Sequence, residues 1–124
     1  ERLRLRVGLD AFDALARSST RDVEIGSYCT VFTAAEVLHL IRQGVEMPDI
    51  VKGLFGSIVQ RTMEMDLLEG DVVMTGGVAA HHPFLIRMFE TRLGRAVIVP
   101  PRAQFTGALG AAIFALEARS GRHA

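Results

Sequence analysis

The chain has 124 residues, 49% of them hydrophobic and 23% charged, a composition that suits one small globular domain and excludes an intrinsically disordered chain. Lys and Arg number 14 and Asp and Glu also number 14, whereas a general nucleic-acid-binding protein needs a basic surplus. No apolar run approaches the roughly 20 residues of a membrane span, and a single cysteine, which cannot form an internal disulfide, favours a reducing, cytoplasmic setting.

The first part of the chain predicts helices joined by loops. Residues 2–7 alternate between charged and apolar side chains, a weak strand pattern. Residues 9–17 have apolar side chains at helical spacing and predict a short helix. Residues 23–32 predict a loop with at most a short strand. Residues 33–36, Thr-Ala-Ala-Glu, have the form of a capping box, which would begin the next helix.

The clearest predicted helix covers residues 48–65. Its apolar side chains recur at positions i, i+1, i+4 and i+5, and Pro48 suits the first helical turn. The preceding helix is expected to end at Gly44, since glycine is favoured just past a helix terminus.

The last part of the chain predicts a strand–helix–strand–helix unit. Residues 71–75 and 96–99 are apolar without alternation, as in parallel strands covered on both faces. Pro83 would begin the helix between them and Gly94 would end it. Residues 104–118 predict a final helix rich in small residues. Because glycine is unfavourable inside a helix, its Gly107 and Gly110 predict a close neighbour, either another backbone or a ligand.

The first candidate binding site is the double glycine that follows the strand at 71–75. A strand that ends in Gly-Gly allows backbone amides to approach a ligand, and ligands of α/β sheets lie at the carboxyl ends of the strands. Thr75, Gly76, Gly77 and Val78 therefore predict a nucleotide-binding loop. A tight turn that needs glycine for its dihedral angles is the alternative, since the sequence has no complete P-loop or dinucleotide motif.

Cys29 is the second candidate. A free cysteine is most often a small buried hydrophobic residue. It precedes a predicted helix, however, and a helix N-terminus stabilises a thiolate or an attached anionic cluster. One cysteine cannot hold an iron–sulfur cluster alone, because such clusters commonly take four thiolates. The adjacent His81 and His82 predict contact with a nucleotide or with solvent rather than a zinc site.

Several segments, taken in order, resemble one family. They are Cys-Thr-Val-Phe at 29–32, Glu-Val at 36–37, Gln-Gly at 43–44, Asp-Ile at 49–50, Thr-Gly-Gly-Val-Ala at 75–79 and Gln-Phe-Thr-Gly-Ala-Leu-Gly-Ala-Ala at 104–112. The chain resembles, over about residues 23–116, the BadF/BadG/BcrA/BcrD type of protein, which includes ATPase subunits of benzoyl-CoA reductase and activators of 2-hydroxyacyl-CoA dehydratases. The Cys-Thr-Val-Phe segment is the specific part, whereas the glycine motifs occur in many actin- and hexokinase-like ATPases.

The resemblance implies an α/β, actin/hexokinase-like (ribonuclease-H-like) ATPase domain, of which residues 1–124 would be a single partial domain, the C-terminal lobe. It implies ATP or ADP with Mg bound between two lobes, with contacts from Thr75, Gly76, Gly77, Val78 and Gln104. The phosphate-binding motifs would lie upstream of this chain.

The same resemblance implies a homodimer, or a pair of homologous subunits, that shares one 4Fe–4S cluster through two cysteines from each subunit. Cys29 would be the second of these cysteines. ATP hydrolysis would drive an electron from the cluster into an acyl-CoA reductase or dehydratase component. The sequence differs from the family at Ala34 and Ala35, where an acidic residue and Ser are usual, and near His81, where Asn is common.

Two other functions are compatible with the residues. One is a lobe of a sugar or acyl kinase with the same general fold, in which Cys29 is a core residue. The other is a non-catalytic interaction module derived from such a lobe.

Overall fold

The computed structural model describes residues 8–26 and 29–121, and the predicted strand at 2–7 lies outside them. The described residues form six α-helices and one short 3-10 helix. They are α1 (Leu9–Arg17), α2 (Thr30–Arg42), α3 (Met47–Met65), α4 (Gly77–His81), α5 (Pro83–Leu93), the 3-10 helix Ala103–Phe105 and α6 (Thr106–Arg119). The predicted helices at 9–17 and 48–65 are confirmed.

The central element is α3, which has Pro48 in its first turn, as predicted. Its buried residues are Asp49, Ile50, Val51, Gly53, Phe55, Ser57 and Val59. Val51, Phe55 and Val59 face the larger of two hydrophobic cores. Ile50 faces the smaller core. One helix therefore supports both cores, because apolar residues i and i+1 point to adjacent helix faces.

The larger core lies between α1, α3 and α5. Its buried residues are Ala16, Val51, Phe55, Val59, Ala79, Leu85, Ile86, Phe89 and Val97. The smaller core joins Ile25, Val37 and Ile50, with Leu40, Val45 and Leu54 packed against it. It attaches α2 and residues 22–26 to α3, so the two cores lie on different sides of α3.

The predicted strands at 71–75 and 96–99 meet at one parallel β-bridge, between Val73 and Ile98. The Met74 amide donates to the Ile98 carbonyl, and the Ile98 amide donates to the Val72 carbonyl, both at 2.9 Å. The parallel direction was correct, but among the described residues neither segment is a strand, since two short segments make only a minimal ladder. The expected covering on both faces was wrong in this chain, because Val73 is 55% and Ile98 50% exposed.

The predicted capping box at 33–36 was also wrong. Helix α2 begins at Thr30, with Cys29 at the N-cap position, so Thr33 already lies inside the helix. Its hydroxyl donates to the Cys29 carbonyl at 3.1 Å, a bond that Thr side chains often make one turn back. The helix ends as predicted, with Gly44 in a left-handed conformation at φ 76°. Of the predicted loop at 23–32, residues 23–26 are a loop and residues 27–28 lie outside the described residues. The prediction was wrong at residues 30–32, which form the first turn of α2.

Helix α5 begins at Pro83 and ends at Gly94, as predicted. Gly94 has φ 68°, a left-handed conformation that favours glycine. At its other end, the buried carboxylate of Asp13 accepts a hydrogen bond from the Phe84 amide at 2.6 Å. The second oxygen of Asp13 accepts from Arg17 at 2.9 Å. Asp13 thus caps α5 from α1 and fixes the two helices to each other.

Helix α6 has no buried residue. Within residues 8–26 and 29–121, no helix is long and apolar enough to cross a membrane.

Candidate functional site

The double glycine forms a tight connection between the bridge segment and α4. Gly76 has φ 97° and ψ 174°, a conformation that is essentially restricted to glycine. Its amide donates to the Ala103 carbonyl at 2.9 Å, which fastens the loop to the 3-10 helix. Apart from its chain neighbours and the backbone of its own helix, a Cβ atom at Gly77 would meet no described atom within 4 Å. Gly76 is therefore required for the turn itself, whereas Gly77 leaves open space in front of the backbone.

The predicted nucleotide contacts are brought together on one surface. Gln104 lies in the 3-10 helix, and its Oε1 is 2.8 Å from Nε2 of His81 at the end of α4. Thr75, Gly77, Val78 and Gln104 are exposed, and Gly76 is partly exposed. Residues that are separated by about 30 positions in sequence thus form one accessible patch around the glycine loop.

Helix α4 itself was not predicted, since the sequence places the next helix at Pro83. Its five residues, Gly77–His81, directly follow the loop. Amides in the first turn of a helix have no partner within the helix and can bind an anion or a polar ligand. The first helical amides after the glycine loop therefore belong to α4, which begins at Gly77, and not to the helix that begins at Pro83.

His81 and His82 have different surroundings, as expected for adjacent residues. His81 is exposed and pairs with Gln104. His82 packs edge-on against Phe55, with ring centroids 5.4 Å apart, and its Nδ1 is buried without a hydrogen-bond partner. His81 therefore belongs to the exposed patch, and His82 belongs to the core beneath it.

Cys29 is exposed at the amino-terminal end of the 13-residue helix α2. This position excludes a buried structural role for the thiol. The neighbouring Val31 and Phe32 are 73% and 67% exposed, so the thiol lies beside an apolar surface. No group of three or more His, Cys, Asp or Glu residues in the described part of the chain could hold a metal ion. The donor set at Cys29 therefore fits a cluster only as one ligand of a shared site.

Asp49 is an acidic residue whose structural role the sequence did not reveal, although the Asp-Ile pair at 49–50 is one of the segments that resemble the family. Its buried Oδ1 accepts from the Ser19 hydroxyl at 2.8 Å and from the Thr20 and Arg21 amides at 3.1 Å each. The Ser19 hydrogen bond, with those amides and the Arg21 charge, lowers the pKa of Asp49 against the opposing effect of burial. The available signal was its place after Pro48, in the first turn of the clearest helix.

A sequence model of the BadF/BadG/BcrA/BcrD ATPase family matches residues 2–115. The chain belongs to this family. The resemblance inferred from the cysteine segment and the glycine motifs is thereby confirmed. The matched range includes every candidate residue, from Cys29 to Gln104.

Among curated proteins, the chain is 41% identical over 117 residues to an activator of lactoyl-CoA dehydratase from Anaerotignum propionicum, covering 92% of this chain and 45% of that protein. It is 38% identical over 114 residues to the (R)-2-hydroxyglutaryl-CoA dehydratase activating ATPase of Acidaminococcus fermentans, covering 90% and 44%. The chain thus spans less than half the length of these curated relatives.

A solved structure has the same fold over the matched part. It is the activator of the 2-hydroxyisocaproyl-CoA dehydratase from Clostridium difficile with bound ADPNP, with a TM-score of 0.78 and 31% identity. The match covers 96% of this chain and 47% of that one. This structural relative of the BadF/BadG/BcrA/BcrD family member is a dehydratase activator.

Proposed function

We propose that this chain is one lobe of an ATP-dependent activator that couples ATP hydrolysis to electron transfer from a 4Fe–4S cluster. The electron would pass to an acyl-CoA dehydratase or reductase component. The observation that carries the nucleotide part is the assembly of Thr75, Gly76, Gly77, Val78 and Gln104 on one accessible surface. Nucleotide binding is also supported by membership of an ATPase family and by the similar solved structure with bound ADPNP.

In this proposal the glycine loop and Gln104 bind the nucleoside part of ATP or ADP, with Mg at its phosphates. Gly77 leaves space for the ligand to approach the backbone. The hydrogen bond with His81 fixes the orientation of the Gln104 amide. The larger fold would be the actin-like, ribonuclease-H-like ATPase fold, in which this lobe forms one side of a nucleotide cleft.

Cys29 would supply one thiolate to a cluster shared with a second, identical or homologous subunit. The exposed thiol at a helix N-terminus and the apolar side chains of Val31 and Phe32 support this role. When bound, the cluster supplies one-electron transfer at low potential. The start of α2 favours the thiolate and the negative charge of the cluster through the helix dipole. An exposed free thiol also suits a reducing compartment, so we place the protein in the cytoplasm.

The nucleotide site is tested by Gly77→Ala. The added methyl group meets no described atom, so the fold is retained, but it occupies the space proposed for the ligand. We expect isothermal titration of the full-length protein with MgADP to show at least about tenfold weaker binding, equivalent to about 1.4 kcal/mol.

The matched control for that titration is Gly56→Ala on α3, where the new Cβ would make only ordinary contact with Met88 at 3.9 Å. It is expected to bind MgADP as the unsubstituted protein does. Equal affinity in Gly77→Ala and Gly56→Ala would show that the ligand does not approach Gly77.

The cluster role is tested by Cys29→Ser in the full-length protein, reconstituted anaerobically with iron and sulfide. We expect the charge-transfer absorbance of the cluster to be lost or strongly reduced, since serine does not replace a thiolate ligand. An unchanged absorbance spectrum and iron content would contradict the ligand role and favour a kinase-type lobe in which Cys29 is not a ligand.

A further inference from the structure

Residues 19–26, here called the cysteine stem, lead from the end of α1 to within three residues of Cys29. The first half of α3 holds this stem at successive points. Asp49 accepts hydrogen bonds from residues 19–21. Lys52 Nζ lies 2.7 Å from Oδ1 of Asp22. The stem is therefore attached along α3 rather than free in solvent.

Gly53 lies under the middle of the stem and allows its close approach to α3. A Cβ atom at this position would lie 2.6 Å from the Val23 carbonyl oxygen and 3.3 Å from Cδ1 of Ile25. The first separation is shorter than a van der Waals contact allows, and the atom involved belongs to the backbone, which cannot rotate away as a side chain can. Glycine is thus needed at Gly53 for space.

The far end of the stem is fixed between α3 and α2. Ile25 is buried with Val37 of α2 and Ile50 of α3. The Gly26 amide donates to Oε1 of Glu36 at 3.3 Å. On the other side of Cys29, its own carbonyl accepts from the Thr33 amide at 2.9 Å. The cysteine therefore lies between two anchored points, one on the stem and one on α2.

We propose that the first half of α3 is a positioning element for the Cys29 thiol, and that Gly53 sets the position of the stem. The inference rests on the proposed role of Cys29 as a cluster ligand. Groups behind a metal ligand control its orientation, and sites of this kind tolerate displacements of only about 0.5 Å. A methyl group at Gly53 would displace the Val23 backbone and, through the packing of Ile25 against Val37, the helix α2 that begins after Cys29.

The first test compares Gly53→Ala with Gly56→Ala in the cluster-free, full-length protein by hydrogen exchange and mass spectrometry. Both changes replace glycine by alanine on the same helix, so both raise helix propensity equally. We expect the amides of Thr20, Arg21 and Gly26, which are hydrogen-bonded to carboxylates, to exchange about tenfold faster in Gly53→Ala alone.

The second test records the electron paramagnetic resonance spectrum of the reduced, reconstituted cluster. A displaced ligand changes the g values and line shape, whereas a loss of global stability does not. We expect altered g values in Gly53→Ala and the unsubstituted spectrum in Gly56→Ala.

A second pair of variants keeps the inference testable if Gly53→Ala does not fold. Ile25→Val removes one buried methylene from the stem, and Ile86→Val removes one from the larger core. Faster exchange of the stem amides is expected in Ile25→Val and not in Ile86→Val.

The outcomes separate the two proposals. If Cys29→Ser leaves the cluster intact, the ligand role is wrong, whatever the stem does. If Cys29→Ser loses the cluster while Gly53→Ala matches Gly56→Ala in both exchange and spectrum, the ligand role stands and the positioning inference is overturned.

Discussion

Helices α3 and α6 have similar sequence patterns and opposite surroundings. Each has two glycines three positions apart, Gly53 and Gly56 in α3 and Gly107 and Gly110 in α6, among many apolar residues. Seven residues of α3 are buried, and none of α6 is. The role of a glycine pair is therefore decided by what approaches the helix and not by its spacing.

The apolar side chains of α6 extend the contrast. Leu109, Ile113, Phe114 and Leu116 are between 47% and 72% exposed. In α3, by comparison, Ile50 and Val51 are completely buried. An apolar helix is buried only where neighbouring elements pack against it. Apolar composition alone therefore does not show whether a helix is buried.

The largest expected difference between the two helices is in the effect of removing an aromatic ring. Phe55→Ala removes a 5% exposed ring from the larger core and leaves a cavity, so we expect a loss of about 3–5 kcal/mol in the free energy of unfolding. Phe114→Ala, at 72% exposure, is expected to change it by less than about 0.5 kcal/mol. Urea denaturation followed by circular dichroism measures both, and similar losses would contradict the contrast.

A smaller effect is expected from Asp49→Asn, and it depends on pH. Hydrogen bonds to the carboxylate lower the pKa of Asp49 below its ordinary value of 3.8. Ionised Asp49 therefore stabilises the fold above that value, and the contribution is lost as the pH falls through the lower, folded pKa. Asp49→Asn should reduce the free energy of unfolding at pH 7, with the deficit narrowing below pH 3.8.

The control for Asp49→Asn is the same change at the exposed Asp71. Urea denaturation at pH 7 and at pH 3 compares the two variants. If Asp49→Asn lowers the free energy of unfolding equally at both pH values, the charge of Asp49 is not the cause. The loss would then come from poorer hydrogen bonding of the amide to Ser19, Thr20 and Arg21.

The smallest expected effect is an increase in the free energy of unfolding, in Gly110→Ala. No described atom beyond its chain neighbours and the backbone of its own helix lies within 4 Å of a Cβ at Gly110. Gly110→Ala should therefore raise the free energy of unfolding by about 0.5–1 kcal/mol. Gly53→Ala, with the same intrinsic preference, should lower it because of the Val23 carbonyl. Thermal unfolding measures both changes, and a loss in Gly110→Ala would show that α6 is packed against something in solution.

Much of the helical architecture could be predicted because its signals are local. Three predictions based on such local signals were correct: the apolar stripe of the helix at 48–65, the helix start at Pro83 and the helix end at Gly94. The parallel direction of the segments at 71–75 and 96–99 was also correct, since a crossover that contains helices, here α4 and α5, returns the chain to the same end of the pair. The five predicted nucleotide contacts came together on one surface.

The wrong predictions concern where one helix begins and which distant residues come into contact. Thr33 and Glu36 fit a capping box by spacing, but the helix begins at Thr30, and Glu36 accepts from Gly26 instead. A close backbone neighbour was expected at Gly107 and Gly110, and none is present among the described residues. A close backbone neighbour, the Val23 carbonyl, is found instead at Gly53. A ligand near Gly107 or Gly110 stays a prediction. Spacing cannot reveal which carbonyl will lie over which glycine.

The hydrogen bond between Asp13 and Phe84 has a consequence for the order of folding. It joins residues 71 positions apart, so it cannot form until residue 84 has been synthesised. Among the described residues, the other hydrogen-bond partner of the Asp13 carboxylate is Arg17, four residues away. Helix α1 can therefore form before α5 is made, but its capping of α5 waits for α5 itself, at the entropic cost of closing a long loop.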